Sequence, residues 1–156
     1  MNILVSNRQK VARLDCPGIR RLTVFFMNRA RRGALCKWDD LSLVLMDDSG
    51  MMRINRLYLD RAGATDVISF YCPPGPGRPG VCGGEIFVNV QRAMEAGKKR
   101  WGAQRELALY IAHGCDHVTG ASDRSQSGRA RMRRRELRWL RAAAKDKLLN
   151  SLLSIR

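Results

Sequence analysis

The run CPPGPGRPGVCGG, residues 72–84, holds four of the five prolines and five of the fourteen glycines of this 156-residue chain. Proline has no N–H to give to a ladder and fixes φ, so neither a helix nor a central strand passes through such a run. It reads as an exposed loop. TDVISFY at 65–71 is β-branched and strand-like, and EIFVNV at 85–90 resumes strand character at once. The loop is therefore a connection within one unit rather than a linker between two.

The remaining elements are placed around that pair. MNILVSNRQ reads as a first strand. CPGIRRLTVFFMNRA, 16–30, reads as a helix with Pro17 near its start and Ile19, Leu22, Val24 and Phe25 spaced for one face. DDLSLVLM at 39–46 alternates like a strand, DDSG after it reads as a turn, and 51–59 as a short helix. QRAMEAGKKR opens another helix, residues 104–120 form the next, and 127–150 a long basic one. No internal repeat is visible. The order is β, α, β, short α, β, β, then helices, which predicts an α+β fold with one small sheet packed by helices.

At this length one domain, 1–156, is expected, with a core of ordinary size. The net charge of +15 and pI near 10.8 are not ordinary and favour polyanionic partners, nucleic acid ahead of an anionic membrane surface. No segment approaches the roughly 18 apolar residues of a membrane span. The first fifteen residues show no apolar run behind a basic start, so they do not read as a signal peptide. Five cysteines (16, 36, 72, 82, 115) form no CxxC pair, and their odd number points to reduced thiols in a cytoplasmic protein.

Both histidines of the chain fall in HGCDHVTGASD, residues 113–123. On a helix, His113 and His117 lie about 40° apart, so both imidazoles reach one ion. Gly120 is a helix terminator, and a chain turning back there brings Asp123 to the same ion. Two imidazoles and a carboxylate leave the fourth position of a tetrahedral Zn²⁺ open to water, the arrangement of a catalytic site. One Zn²⁺ per chain is expected. Cys115 projects away from this face and reads as a packed thiol, Asp116 as a solvated carboxylate. HxxxHxxG also matches the zinc-protease spacing. Those enzymes need a glutamate after the first histidine as general base, and here Gly114 stands there, so peptide hydrolysis by that route is disfavoured.

HGCDHVTGASD resembles the HGxLHLxGxDH signature of the YbeY family of bacterial metal-dependent endoribonucleases. TDVISF at 65–70 resembles that family's TDVLSF, and GGEIFVNVQRAMEAG at 83–97 its GDIxIxxxxAxxxA segment. Asn55 and Tyr58 resemble its LNxxYR box, and Glu106 stands seven residues before His113 as in the family. The resemblance covers roughly residues 40–140. It implies an α+β domain with zinc on the signature residues, acting in maturation of ribosomal RNA ends and in ribosome quality control. Three positions depart from the pattern. Asp123 replaces a third histidine and supplies a harder oxygen donor. Leu59 replaces the arginine of the LNxxYR box, with Arg56 and Arg61 as the nearby substitutes. Asp116 replaces leucine.

The expected activity is a zinc-dependent endoribonuclease acting on ribosomal RNA as a monomer, with His113, His117 and Asp123 as ligands. Glu106 is the candidate catalytic-site carboxylate, orienting an imidazole from outside the ligand shell; its alternative is a surface salt bridge. Thr65, Asp66 and Ser69 either line the site or close a strand start. The alternative function is a ribosome-assembly or RNA-binding factor with a structural metal. From Arg124 to Arg156 there are eleven Lys or Arg against two Asp or Glu. Arg131, Arg134, Arg135, Arg138, Arg141 and Lys145 project within about 120° of one another on a helix, with Leu137, Leu140, Ala144 and Leu148 on another face and Met132, Trp139 and Ala143 beyond them. Arg134, Arg138 and Arg141 are the chosen RNA-binding residues on that stripe, which would hold phosphate without reading sequence. The competing basic segment is Arg20, Arg21, Arg29, Arg31 and Arg32.

Overall fold

The computed structural model describes residues 1–31 and 36–155. Four strands make a mixed sheet in the order β1-β3-β5-β4: β1 (Asn2–Asn7), β3 (Lys37–Met46), β5 (Val81–Asn89) and β4 (Val67–Cys72). β1, β3 and β5 are mutually parallel, and β4 runs antiparallel to β5 across the proline-rich connection. Alternation along β3 sends Leu41, Leu43 and Leu45 into the main core and Val44 to the opposite face. On the main-core face lie α1 (Cys16–Ala30), α3 (Val90–Lys99), α4 (Ala103–Val118) and α5 (Gln126–Lys145). On the other, α2 (Asp48–Leu59) closes a small cluster of Met51 with Val44, Ile68 and Phe87. This is the α+β architecture that the sequence predicts.

Three expectations are corrected. DDSG is not a turn but the start of α2, because the Asp47 side chain accepts from the Gly50 amide and caps the helix. Helix capping and turn formation use the same short carboxylate, so the two look alike in sequence. Residues 81–84 belong to β5, not to the loop. Gly84 is kept free of a side chain because a Cβ there would collide with Val118 at the end of α4. The last helix stops at Lys145 rather than 150, with Lys147 at φ +58°. The chain then returns as β6 (Leu153–Ile155) to pair with β2 (Ala12–Leu14), a two-stranded element with no visible local signal.

The cysteines also depart from expectation. Cys36 and Cys82 are joined in a disulfide, with Cα atoms 5.9 Å apart; Cys16, Cys72 and Cys115 are free. The β3–β5 register, which sets Lys37 beside Val81, brings the two together from 46 residues apart. Spacing along the chain carries no trace of that register. No helix among the described residues is long and apolar enough to cross a membrane.

Candidate metal centre

The centre is built on α4, which presses into the sheet at Gly114. A Cβ at that position would overlap Ile86 of β5. The missing side chain thus serves packing, and it also leaves no general base beside His113. Cys115 is fully buried, as expected of a packed thiol, and burial pushes its pKa up. Two residues past the last helical one, Gly120 takes φ +104°, and its amide donates to the His117 carbonyl. The chain reverses there and delivers Asp123 back to the face that holds both histidines.

Hydrogen bonding fixes the imidazoles. His117 Nδ1 lies 3.1 Å from the Ala121 carbonyl oxygen. A carbonyl only accepts, so Nδ1 carries the proton and Nε2 the lone pair. His113 Nδ1 lies 2.7 Å from Glu136 Oε1, and an ionised carboxylate imposes the same tautomer. The two Nε2 atoms therefore point their lone pairs at each other across 3.0 Å, with Asp123 Oδ2 3.5 Å from His117 Nε2. The ligand atoms of His113, His117 and Asp123 all fall within 4.8 Å of one another. Such a convergence of electron pairs is repulsive unless a proton or a metal cation lies between them. Nitrogens bound tetrahedrally at about 2.0–2.1 Å would stand roughly 3.3 Å apart, close to this spacing. The donor set fits one divalent ion with room for water. Burial disfavours a charged His113 ring, but Glu136, with Asp66 and Asp123 beyond it, outweighs burial and raises its pKa above the usual histidine value.

The carboxylate that orients an imidazole is Glu136 of α5, which is 3% exposed, and not Glu106. Glu106 is buried and accepts from Arg100 (3.2 Å) and from the Trp101 indole N–H (2.7 Å), on the wall of the cavity that His113 also borders. In the sequence Glu136 lies among arginines and shows no motif; only the α4–α5 packing reveals it. Asp116 is corrected as well. It is 2% exposed and held by Arg135 through Nε at 3.0 Å and Nη2 at 2.7 Å. Burial raises the Asp116 pKa above the usual carboxylate value and Arg135 opposes the shift.

The segment around Thr65 borders the centre. Thr65 and Ser69 line the cleft beside His117, and the Ser69 hydroxyl donates to the Gly114 carbonyl at 3.3 Å. Asp66 lines the cavity beside His113. Of the two substitutes for the arginine missing at Leu59, Arg61 lines the cleft beside His117 and Arg56 does not. On α5 the buried face is Met132, Glu136, Trp139, Leu140 and Ala143, so it is centred on the residues expected beyond Leu137, Ala144 and Leu148; Ala144 is exposed. Arg131, Arg134, Arg138, Arg141 and Lys145 face outward as predicted, while Arg135 is spent on Asp116. Arg32 and Arg156 lie outside the described residues.

An α+β domain carrying an open His–His–Asp centre at the end of a sheet-packed helix has the form of a catalytic metal site rather than a closed structural one. The profile of the family described as Endoribonuclease YbeY matches residues 4–144. The chain is 36% identical over 108 residues to the Endoribonuclease YbeY of Salinibacter ruber, covering 65% of this chain and 69% of that one. It is 34% identical over 143 residues to the Endoribonuclease YbeY of Geobacter sulfurreducens, covering 87% and 89%. The solution structure of a Thermotoga maritima protein matches 96% of this chain and 97% of its own at a TM-score of 0.59 and 15% identity, a likeness of fold. This chain belongs to the Endoribonuclease YbeY family.

Proposed function

We propose that the protein is a zinc-dependent endoribonuclease that cuts single-stranded regions of ribosomal RNA during its maturation and in ribosome quality control, in the cytoplasm and as a monomer. The observation that carries the reading is the pair of Nε2 lone pairs facing each other across 3.0 Å beside Asp123. Family membership supplies the reaction class, and the charge of +15 suits an RNA substrate.

His113, His117 and Asp123 would hold the ion, with Glu136 and the Ala121 carbonyl keeping both imidazoles in the ligating tautomer. A divalent ion at such a site supplies Lewis acidity, making water a competent nucleophile near neutral pH and drawing charge from a phosphoryl oxygen. Arg61 borders the same cleft and is placed to meet a phosphate. Arg134, Arg138 and Arg141 would anchor RNA from the outer face of α5. Gly114 offers no proton acceptor where a protease would have its glutamate.

The second reading, an RNA-binding assembly factor with a structural metal, is favoured by Leu59, an apolar side chain in the cleft at the position of the expected arginine. Purified protein separates the two. The nuclease reading expects about one Zn²⁺ per chain and RNA cleavage that a chelator stops and added zinc restores. His113→Ala and His117→Ala should lose both metal and activity, Asp123→Ala should bind more weakly, and Asp123→His should retain zinc. Full zinc content in both histidine variants refutes the ligand assignment, and metal-replete wild type that cuts no RNA supports the assembly-factor reading.

A further inference from the structure

Asp123 stands on a wall shared by two cavities. One of about 420 Å³ runs from His113 and Asp123 to Arg100, Arg129 and Arg133. The other, of about 720 Å³, runs from His117 and Asp123 to Arg61 and Arg124. A third of about 400 Å³ continues from the first past Arg100 and Tyr110 to Arg92 and Lys99. A chain molecule bound at Asp123 thus meets basic side chains on either side, with Asp48 and Glu95 also on the wall of the third cavity.

The first cavity has the more telling chemistry. Four carboxylates line it: Glu106 is held by Arg100 and Trp101, Glu136 by His113, and Asp66 by the neutral Thr65 hydroxyl and Val67 amide, while Asp123 belongs to the proposed ligand set. Arg129 and Arg133 stand one helical turn apart on α5 and so face the same way. Among the described residues neither has a carboxylate within ion-pair distance. Arg129 donates to the Asp123 carbonyl at 3.0 Å, and Arg133 lies over the Trp101 ring, 5.5 Å from its centroid. Buried Leu109 and Met132, with half-buried Tyr110, give the same cavity an apolar side. Two guanidiniums with no ion-pair partner among the described residues, beside an apolar wall, suit a phosphate with its base, and the volume is that of a small-ligand pocket rather than a groove for a duplex.

We propose that this cavity seats the nucleotide adjoining the reacting phosphodiester, with Arg129 and Arg133 as positioning residues for its phosphate and Tyr110 beside its base. The proposal rests on the endoribonuclease reading. It assigns α5 a second basic face, distinct from the outward stripe: Arg138 lines a separate cavity with Arg29 and Arg135 that shares no wall residue with this one.

The test uses the full-length, zinc-loaded protein, with fluorescence anisotropy on a short single-stranded RNA across a salt series and steady-state cleavage of the same RNA. Arg129→Gln/Arg133→Gln should bind several-fold more weakly, with a log K against log salt slope shallower by about 1.4, from about 0.7 per phosphate contact on a single strand. KM should rise more than kcat falls, and zinc content should stay intact. Arg129→Lys/Arg133→Lys should recover the slope, since the charge is kept. Arg133→Gln alone, which leaves the Arg129 contact to Asp123, should show about half the change in slope, or ~0.7. An abasic residue next to the cleaved bond should weaken wild type and leave Tyr110→Ala indifferent. Unchanged slope and KM in the double variant, with wild type cutting RNA, overturns the subsite alone. If wild type cuts no RNA under any metal condition, the endoribonuclease reading falls, and the proposal with it.

Discussion

Glu136 is the sharpest place to perturb the centre, because it touches neither solvent nor the ion position yet determines what His113 offers. Its carboxylate is 3% exposed and 2.7 Å from His113 Nδ1. In Glu136→Ala the ring keeps no acceptor of its own, so the tautomer with the proton on Nε2 becomes accessible and the ligand nitrogen loses basicity. Outer partners of metal-bound histidines contribute about 10- to 100-fold in affinity, or roughly 1.4–2.7 kcal/mol. A loss within that range is expected, since Glu136 is the acceptor that His113 Nδ1 has in the fold. Glu136→Gln, whose amide oxygen still accepts, should lose less. The acid limb of metal binding should also move. His113 must shed its proton to ligate, and Glu136 is what raises its pKa against burial. In the wild type, affinity should decline as pH falls through that raised value; in Glu136→Ala the decline should begin at lower pH. Competition with a chromophoric zinc chelator from pH 5 to 8 measures both quantities, with circular dichroism to confirm folding. A folded Glu136→Ala protein with wild-type zinc affinity and an unmoved acid limb would refute the argument.

Three further outcomes follow from the geometry. Arg134→Gln/Arg138→Gln/Arg141→Gln should weaken RNA binding across sequences and flatten the salt slope by about 2, at ~0.7 per lost phosphate contact; an unaltered slope would turn attention to Arg20, Arg21, Arg29 and Arg31. Gly114→Ala should cost about 1–3 kcal/mol by overpacking against Ile86, and in urea melts Ile86→Ala should cost less in the Gly114→Ala background than in wild type; a neutral single variant would show that α4 is free to move off the sheet. Arg135→Leu strands a buried carboxylate and should cost about 3 kcal/mol, whereas Asp116→Leu/Arg135→Leu should come close to wild type. Because the folded Asp116 pKa is raised, its contribution is greatest below the unfolded carboxylate value and is lost as pH rises through the folded one. The Arg135→Leu deficit should therefore be larger at pH 8 than at pH 5, and a pH-independent deficit would rule out an ionised Asp116 as its source.

What the sequence conveyed, and what it did not, divides by the range of the interaction. The ligand cluster was legible because its parts lie within eleven residues and follow from helix pitch and one glycine reversal. The bounds of α1 were legible from proline position and apolar spacing. Glu136, the Cys36–Cys82 bond and the β2–β6 pair were not, since each depends on two segments meeting only after the sheet and helices have docked. DDSG failed for a local reason: a carboxylate that caps a helix is written in the same letters as one that makes a turn.

Asp116 joins both lessons. In the sequence it is a departure, a carboxylate where the resembling pattern has leucine, and periodicity alone made it solvated. In the fold it is buried, and an arginine nineteen residues on meets it in a two-pronged ion pair. The same pairing explains why the charge stripe on α5 is one guanidinium narrower than its helical projection. A count of uncompensated arginines therefore overstates what is free to meet RNA wherever a nearby acidic substitution has recruited one of them inward. Arg129 and Arg133, which no projection singled out, face the centre with their charge unspent. Placement in the cavity that borders His113 and Asp123, rather than density of charge along the helix, is what singles out Arg129 and Arg133 for the test.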